Sequence, residues 1–279
     1  MNEGLTKFAA STSYYFRNYY RSRSFYLMLT MSLLVSALMM YFTLRYVNSL
    51  TGFLPNLNLA SISLSTKESI FGFLWSYVLI YLPVFSSVFF GSSAISSEIE
   101  NRTAFHIFPL PISRSSLLIS KYLAAVMVTV LVCMIYVLMQ AATFLYVFHI
   151  PLISGFFYSA ALLIIFIFSM TAFTFMLSSI FNKNTYAYIS VFLIYFLTFT
   201  AYQFIAELLY KTTPFYLLDN AAGIIEKVYV NISLSPFNFN FSLNPVGFGE
   251  ITQSVLVMAI YAIVSISVSL IIFERKEVK

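Results

Sequence analysis

Apolar positions along the chain come in six long runs, and the polar residues gather between them. The runs fall at about 25–47, 70–94, 117–148, 155–181, 186–209 and 251–273. A helix needs about 20 mainly apolar residues to cross a bilayer, and buried strands are far shorter, so each run predicts a transmembrane helix. Pro83 inside the second run predicts a kink, because it has no N–H to give to the helix. The third run exceeds the bilayer thickness, which predicts a first turn standing out in the cytoplasm. The expected fold is all-α and integral to the membrane: a single transmembrane domain over 1–279 with six transmembrane helices.

The segments between the runs have patterns of their own. Before the first run, TSYYFRNYYRSR (12–23) interleaves five aromatics with three arginines. Tyr15 and Tyr19, and likewise Phe16 and Tyr20, are four apart and share a helix face. Tyrosine favours the headgroup region and arginine favours anionic lipid, so an N-terminal interfacial helix is expected. On the opposite side, the outer segment 210–250 is punctuated by Pro214, Gly223, Pro236, Pro245, Gly247 and Gly249. Within it, LLDNAAGIIEKVYV (217–230) predicts a short amphipathic helix with Leu218, Ile225 and Tyr229 on one face. The alternating Phe237, Phe239 and Phe241 that follow suit an extended segment on the membrane surface or a re-entrant turn. Asn231-Ile232-Ser233 is an N-glycosylation sequon, usable in an organism with that machinery.

Composition agrees with a membrane protein. Only 9% of residues are charged, against about 25% in soluble domains, and the mean hydropathy is +0.88. The net charge of +5 forms no patch, which argues against nucleic acid as a partner. Instead, 11 of the 15 basic residues fall on one side of the runs: Lys7, Arg17, Arg21, Arg23, Arg102, Arg114, Lys121, Lys183, Arg275, Lys276 and Lys279. Arg45, Lys67, Lys211 and Lys227 fall on the other. Basic residues stay inside, so both termini are expected in the cytoplasm, with the chain multi-pass in the plasma membrane. Residues 1–24 contain no apolar core of signal-peptide length, so no cleaved leader is expected.

Candidate chemistry is sparse. Cys133 is the single cysteine, and His106 and His149 belong to no set with metal-ligand spacing, so no metal or redox site is expected. The ionisable residues of the runs lie near their ends, at Arg45, Lys121, Lys183 and Glu207. Ion-coupled carriers place such groups at mid-depth, so this weighs against a secondary carrier. No H-E-x-x-H and no nucleophile–base pair points to an intramembrane enzyme. Serine, threonine and glutamine within the runs serve interhelical hydrogen bonds or line a substrate path. For the path the candidates are Gln140, Thr143 and Gln203; a buried amide has four hydrogen-bonding positions to fill.

The loop SSEIENRTAFHIFPLPISRSSLLISK (96–121) is the most informative stretch. Ser96 or Ser97 suits an N-cap with Glu98 and Glu100 in the first turn of a short helix, which ends before Pro109 and Pro111. Ser113 caps the next helix, leading through Lys121 into the third run. Phe105, Ile107, Phe108 and Leu110 have no reason to face water and call for a partner surface or the lipid. In Glu98, Glu100, Thr103, Pro111, Ser113, Arg114 and Lys121, this stretch resembles the cytoplasmic loop of ABC-2 type permeases. The tail FERKEVK (273–279) after the last run is similar to the family's ending, while Asn101 and the aromatic-rich 231–249 depart from its pattern.

The resemblance implies the transmembrane subunit of an ABC exporter. The loop would form a cytoplasmic coupling helix between spans two and three. Glu98, Glu100, Arg102, Thr103, Phe105, Phe108, Pro109, Pro111 and Arg114 would seat it in a separate ATPase subunit. Asn182, Lys183 and Asn184 would make a second, smaller contact. This chain has no G-x-x-x-x-G-K-[ST], so no catalytic role and no cofactor of its own are expected; ATP and magnesium would sit on the partner. A second permease, identical or a sister chain, would complete the unit, and the aromatic, nearly uncharged spans favour a hydrophobic or amphipathic cargo. The alternatives are an ABC-2-like assembly or anchor subunit without its own cargo and, less favoured, a secondary carrier.

Overall fold

The computed structural model describes residues 3–47, 63–101, 112–235, 238–242 and 244–275. Helix α1 (Glu3–Tyr20) is followed by α2 (Arg23–Tyr46), whose start is capped by the Ser22 hydroxyl accepting from Phe25 N. Helices α3 (Leu64–Leu79), α4 (Tyr81–Gly91) and α5 (Ser93–Glu100) run on almost without a break. Then come α6 (Arg114–Phe148), α7 (Ser154–Ile180) and α8 (Asn184–Phe192). A π-helical segment (Leu193–Phe199) joins α8 to α9 (Thr200–Tyr210). Two short helices, α10 (Leu218–Ala222) and α11 (Ile224–Lys227), precede strands β1 (Asn231–Ser235) and β2 (Asn238–Ser242), and α12 (Phe248–Arg275) ends the described chain.

Six helical stretches among the described residues are long and apolar enough to cross a membrane: Arg23–Tyr46, Leu64–Glu100, Arg114–Phe148, Ser154–Ile180, Asn184–Tyr210 and Phe248–Arg275. Each contains or closely tracks one of the six runs. The second differs most, since its helix continues past the apolar run at both ends. The interruption at Ile80 lies three residues before Pro83, where the proline ring and its missing N–H disturb the preceding turn. The fifth is not a plain α-helix, because the π segment inserts a wider turn at its middle.

One continuous apolar core joins α3, α4, α6 and α7, with α2, α8–α9 and α12 around it. Those outer helices leave large side chains exposed, such as Leu34 and Leu38 on α2, Leu197 on the π segment and Ile263 on α12. Such faces suit lipid or another subunit, since no water-facing helix is this apolar. The seams between helices are hydroxyl-rich. Ser32 donates to Val132 O (3.1 Å), Ser87 meets Thr171 (3.0 Å), Ser169 donates to Met258 O (2.7 Å) and Ser269 to Phe175 O (3.3 Å). Short polar side chains let backbones approach and hold them there, the role hydroxyls take where lipid removes the hydrophobic drive between helices. Trp75 Nε1 donates to Thr43 Oγ1 (2.9 Å) and Tyr136 OH to Trp75 O (3.0 Å), tying α2, α3 and α6 together.

The outer segment holds two short helices and a pair of strands. Leu218, Ile225 and Tyr229 are all buried, although the amphipathic stretch is split into α10 and α11 at Gly223. The aromatic-rich part forms a two-stranded antiparallel hairpin, with Ile232 opposite Phe241 and Leu234 opposite Phe239. Tyr229 is wedged between α3 and α7, where Gly72 and Gly155 make room for its ring.

Candidate functional site at the basic end of the bundle

Side chains from seven helices meet at the end of the bundle that carries α1 and the end of α12. The centre is Lys121 on α6, which is almost wholly buried. Its ammonium pairs with Glu98 on α5, donates to Ala94 O (3.1 Å) and sits 5.1 Å from the Tyr15 ring centroid of α1. Each contact matters, because an ammonium taken out of water must recover its hydration from fixed partners. The α1 helix reaches this point through the face that Tyr15 and Tyr19 share: Tyr15 is buried, and Tyr19 packs edge-on against Phe90 (5.9 Å). Helix α1 is thereby docked against α6.

Helix α5 is bolted to the bundle on its other side. Ser178 on α7 accepts from both Ile95 N and Ser96 N (3.1 Å each) and donates to Ser92 O (2.7 Å). Glu100 accepts from Asn184 N at the start of α8 (2.8 Å), and Ser96 Oγ reaches Asn184 Oδ1 (3.3 Å). Arg114, at the start of α6, donates to Glu274 O near the end of α12 (3.0 Å), and Ser115 bonds the Glu274 carboxylate. The two roots of loop 102–111 are thus anchored in α6, α7, α8 and α12.

One expectation is overturned here. Ser96 and Ser97 do not start a helix with Glu98 and Glu100 in its first turn. They lie in the last turns of a helical run that began at Leu64, and their hydroxyls turn back to Ser92 O and Ser93 O. Serine hydroxyls inside a helix bond the carbonyl four residues earlier, which satisfies them without ending it. Glu98 and Glu100 therefore face Lys121 and Asn184 on neighbouring helices. Ser113 does cap α6, accepting from Ser116 N (3.3 Å).

Of the residues expected to meet an ATPase, Glu98, Glu100 and Arg114 surround the roots of the loop. Arg102, Thr103, Phe105, Phe108, Pro109 and Pro111 lie outside the described residues. Asn182 and Lys183 are exposed at the turn between α7 and α8, with Lys183 5.6 Å from the Tyr186 ring, and Asn184 is half-buried beside α5. The two expected contact regions are thus adjacent through Glu100 and Asn184. The candidate path residues lie on two helices, α6 and α9. Gln140 is buried and donates to Tyr229 OH (3.3 Å), Thr143 bonds Met139 O of its own helix (2.7 Å), and Gln203 is half-buried on α9.

Sequence reasoning passed over Ser178 and Tyr15 as partners of the loop roots. A serine near a helix end and a tyrosine in an aromatic stretch carry no signal for a contact across more than 80 residues. Asp219 and Glu226 likewise carry no sequence signal of partial burial, because they lie in a segment between apolar runs.

Six helices long and apolar enough to cross a bilayer define the class as a multi-pass membrane protein. The chain belongs to the ABC-2 transporter family: the family model described as "ABC-2 family transporter protein" matches residues 16–278. No curated protein matches the chain. It is therefore a membrane component of ABC transport.

Proposed function

We propose that the chain is the permease subunit of an ATP-driven exporter, with ATP and magnesium bound by a separate ATPase that docks on loop 102–111 and on the 182–184 turn. The supporting observation is the anchoring of the loop's two roots. Helix α5 is held to α6 by Glu98–Lys121, to α7 by Ser178 and to α8 through Glu100 and Asn184. A push or pull on such a loop is carried into several spanning helices at once, as a rigid-body switch between two arrangements requires. Phe105 and Phe108 supply the apolar contact, and the basic end faces the cytoplasm of the plasma membrane.

A second permease copy or a sister chain covers part of the apolar outer helices. An apolar groove of about 600 Å³ between α2, α4 and α8, lined by Met28, Met31, Tyr81, Phe85 and Phe192 among others, supports a hydrophobic or amphipathic cargo. Phe105→Asp tests the docking, since it places an unpaired charge in an apolar contact. Co-purification of the ATPase is expected to be lost while the variant keeps its level in the membrane. Retention of the ATPase by that variant would overturn the docking assignment.

A further inference from the structure

Between α1, α5 and the start of α6, the basic end holds a cavity of about 760 Å³. Lys7, Ser11, Tyr14 and Asn18 line it from α1, and Ser93 and Ser97 from α5. The paired Lys121 and Glu98 also line it, as do Asn101 and Ile112, the residues that bound loop 102–111. The wall is thus rich in hydroxyl and amide groups. Its charged side chains among the described residues are two lysines and one glutamate, a net charge of +1. Arg17, Arg21 and Arg23 adjoin lining residues in sequence and add positive charge at the same end.

This cavity runs on into the apolar groove between α2, α4 and α8, because Phe89 lines both. At the start of α2, Ser22 and Ser24 line the cavity, while Leu27, Met31 and Val35 further along line the groove. On the second spanning stretch, Ser93 and Ala94 line the cavity, and Leu82 and Phe85 the groove. From Ser24 to Val35 the helix rises about 16 Å at about 1.5 Å per residue, and one leaflet of hydrocarbon is about 15 Å deep. Polar space at a basic surface therefore passes into an apolar trough about one leaflet deep. We propose that cavity and groove together bind an anionic phospholipid of the leaflet at the basic end, with its phosphate head in the cavity and an acyl chain along the groove. The phosphate fits because its charge opposes that of the lining, and its oxygens accept from Lys7, the Asn18 amide and the hydroxyls. Glu98 does not repel it as a lone charge would, since Lys121 is paired with it. A zwitterionic head brings no net charge to the same wall. The inference goes beyond the exporter reading: the head sits against both roots of loop 102–111, and cargo entering the groove would have to displace the lipid.

The test uses the purified full-length chain in detergent and phosphatidylglycerol carrying a photoreactive diazirine on one acyl chain, with adducts mapped by peptide mass spectrometry. The expected result is adducts concentrated in residues 24–35 and 78–92. Unlabelled phosphatidylglycerol should compete at a concentration at least about fivefold lower than phosphatidylcholine, the worth of one charge at a membrane surface. Glycerol phosphate, a head without chains, should not compete. Lys7→Glu reverses the net charge of the lining at an exposed position and should cut labelling of both segments at least about fivefold. The mapping and competition on the unaltered chain stand even if that variant folds poorly. Adducts as dense on the exposed face of α12 around Ile260 and Ile263, as lipid coating every apolar face would give, overturn the site. So does equal competition by phosphatidylcholine, competition by glycerol phosphate alone, or labelling unchanged in Lys7→Glu. None of these outcomes bears on whether an ATPase co-purifies, so failure of this site and failure of the exporter reading are read separately.

Discussion

Lys121 has left water almost completely, and three groups replace it: the Glu98 carboxylate, the Ala94 carbonyl and the Tyr15 ring. Removing one partner of a buried pair strands the other, at a cost of about 3–5 kcal/mol, whereas replacing both with apolar residues is often neutral. Lys121→Met is therefore expected to destabilise the purified chain by about 3 kcal/mol, and Lys121→Met with Glu98→Leu to recover most of that. Thermal or denaturant unfolding in detergent measures both; equal loss in the single and double variants would show that the pair is not the source. At this scale the sequence was partly legible. Lys121 was visible where a polar loop enters an apolar run, and the spacing of Tyr15 and Tyr19 put them on one face of a helix. That the two meet was not visible, because spacing within one helix says nothing about a contact with another.

At the scale of elements, the decisive piece is α5, which joins a spanning helix to the loop. Ser178 holds it with two accepted N–H bonds and one donated O–H bond, all buried. Ser178→Ala removes three buried hydrogen bonds from the start of α5, at about 1–3 kcal/mol. The expected outcome is faster hydrogen exchange over residues 93–100, with exchange in the middle of α6 unchanged. Unchanged exchange at 93–100 would mean that α5 is held some other way. Element existence was legible here: six long apolar runs admit few alternatives, and Pro83 marked the interruption near Ile80. Element boundaries were less so. Ser96, read as a cap, continues the helix instead, since the same hydroxyl serves either role and only the neighbouring Ser178 and Asn184 decide. The π segment had no signal, as nothing in LIYFLTF separates it from an α-helical turn.

For the whole molecule, the outer helices expose large apolar side chains, and the end carrying the two loop roots holds the Lys121–Glu98 ion pair and the Glu100 and Glu274 contacts. The asymmetry of lysine and arginine was readable from sequence, and the structure gathers Lys121, Arg114 and Lys183 at the same end as α1. Asp219 and Glu226 were not readable as half-buried groups, because nothing in a segment between spans shows that its apolar neighbours pull it inward. The central claim is that this chain moves cargo with energy from another chain seated on loop 102–111. The measurement closest to it is purification of the tagged full-length chain from its own membranes under mild detergent, followed by native mass spectrometry. The account expects a complex containing a Walker-A ATPase in equal number with the permease chains, two of each. A chain that purifies reproducibly without any ATPase would contradict it.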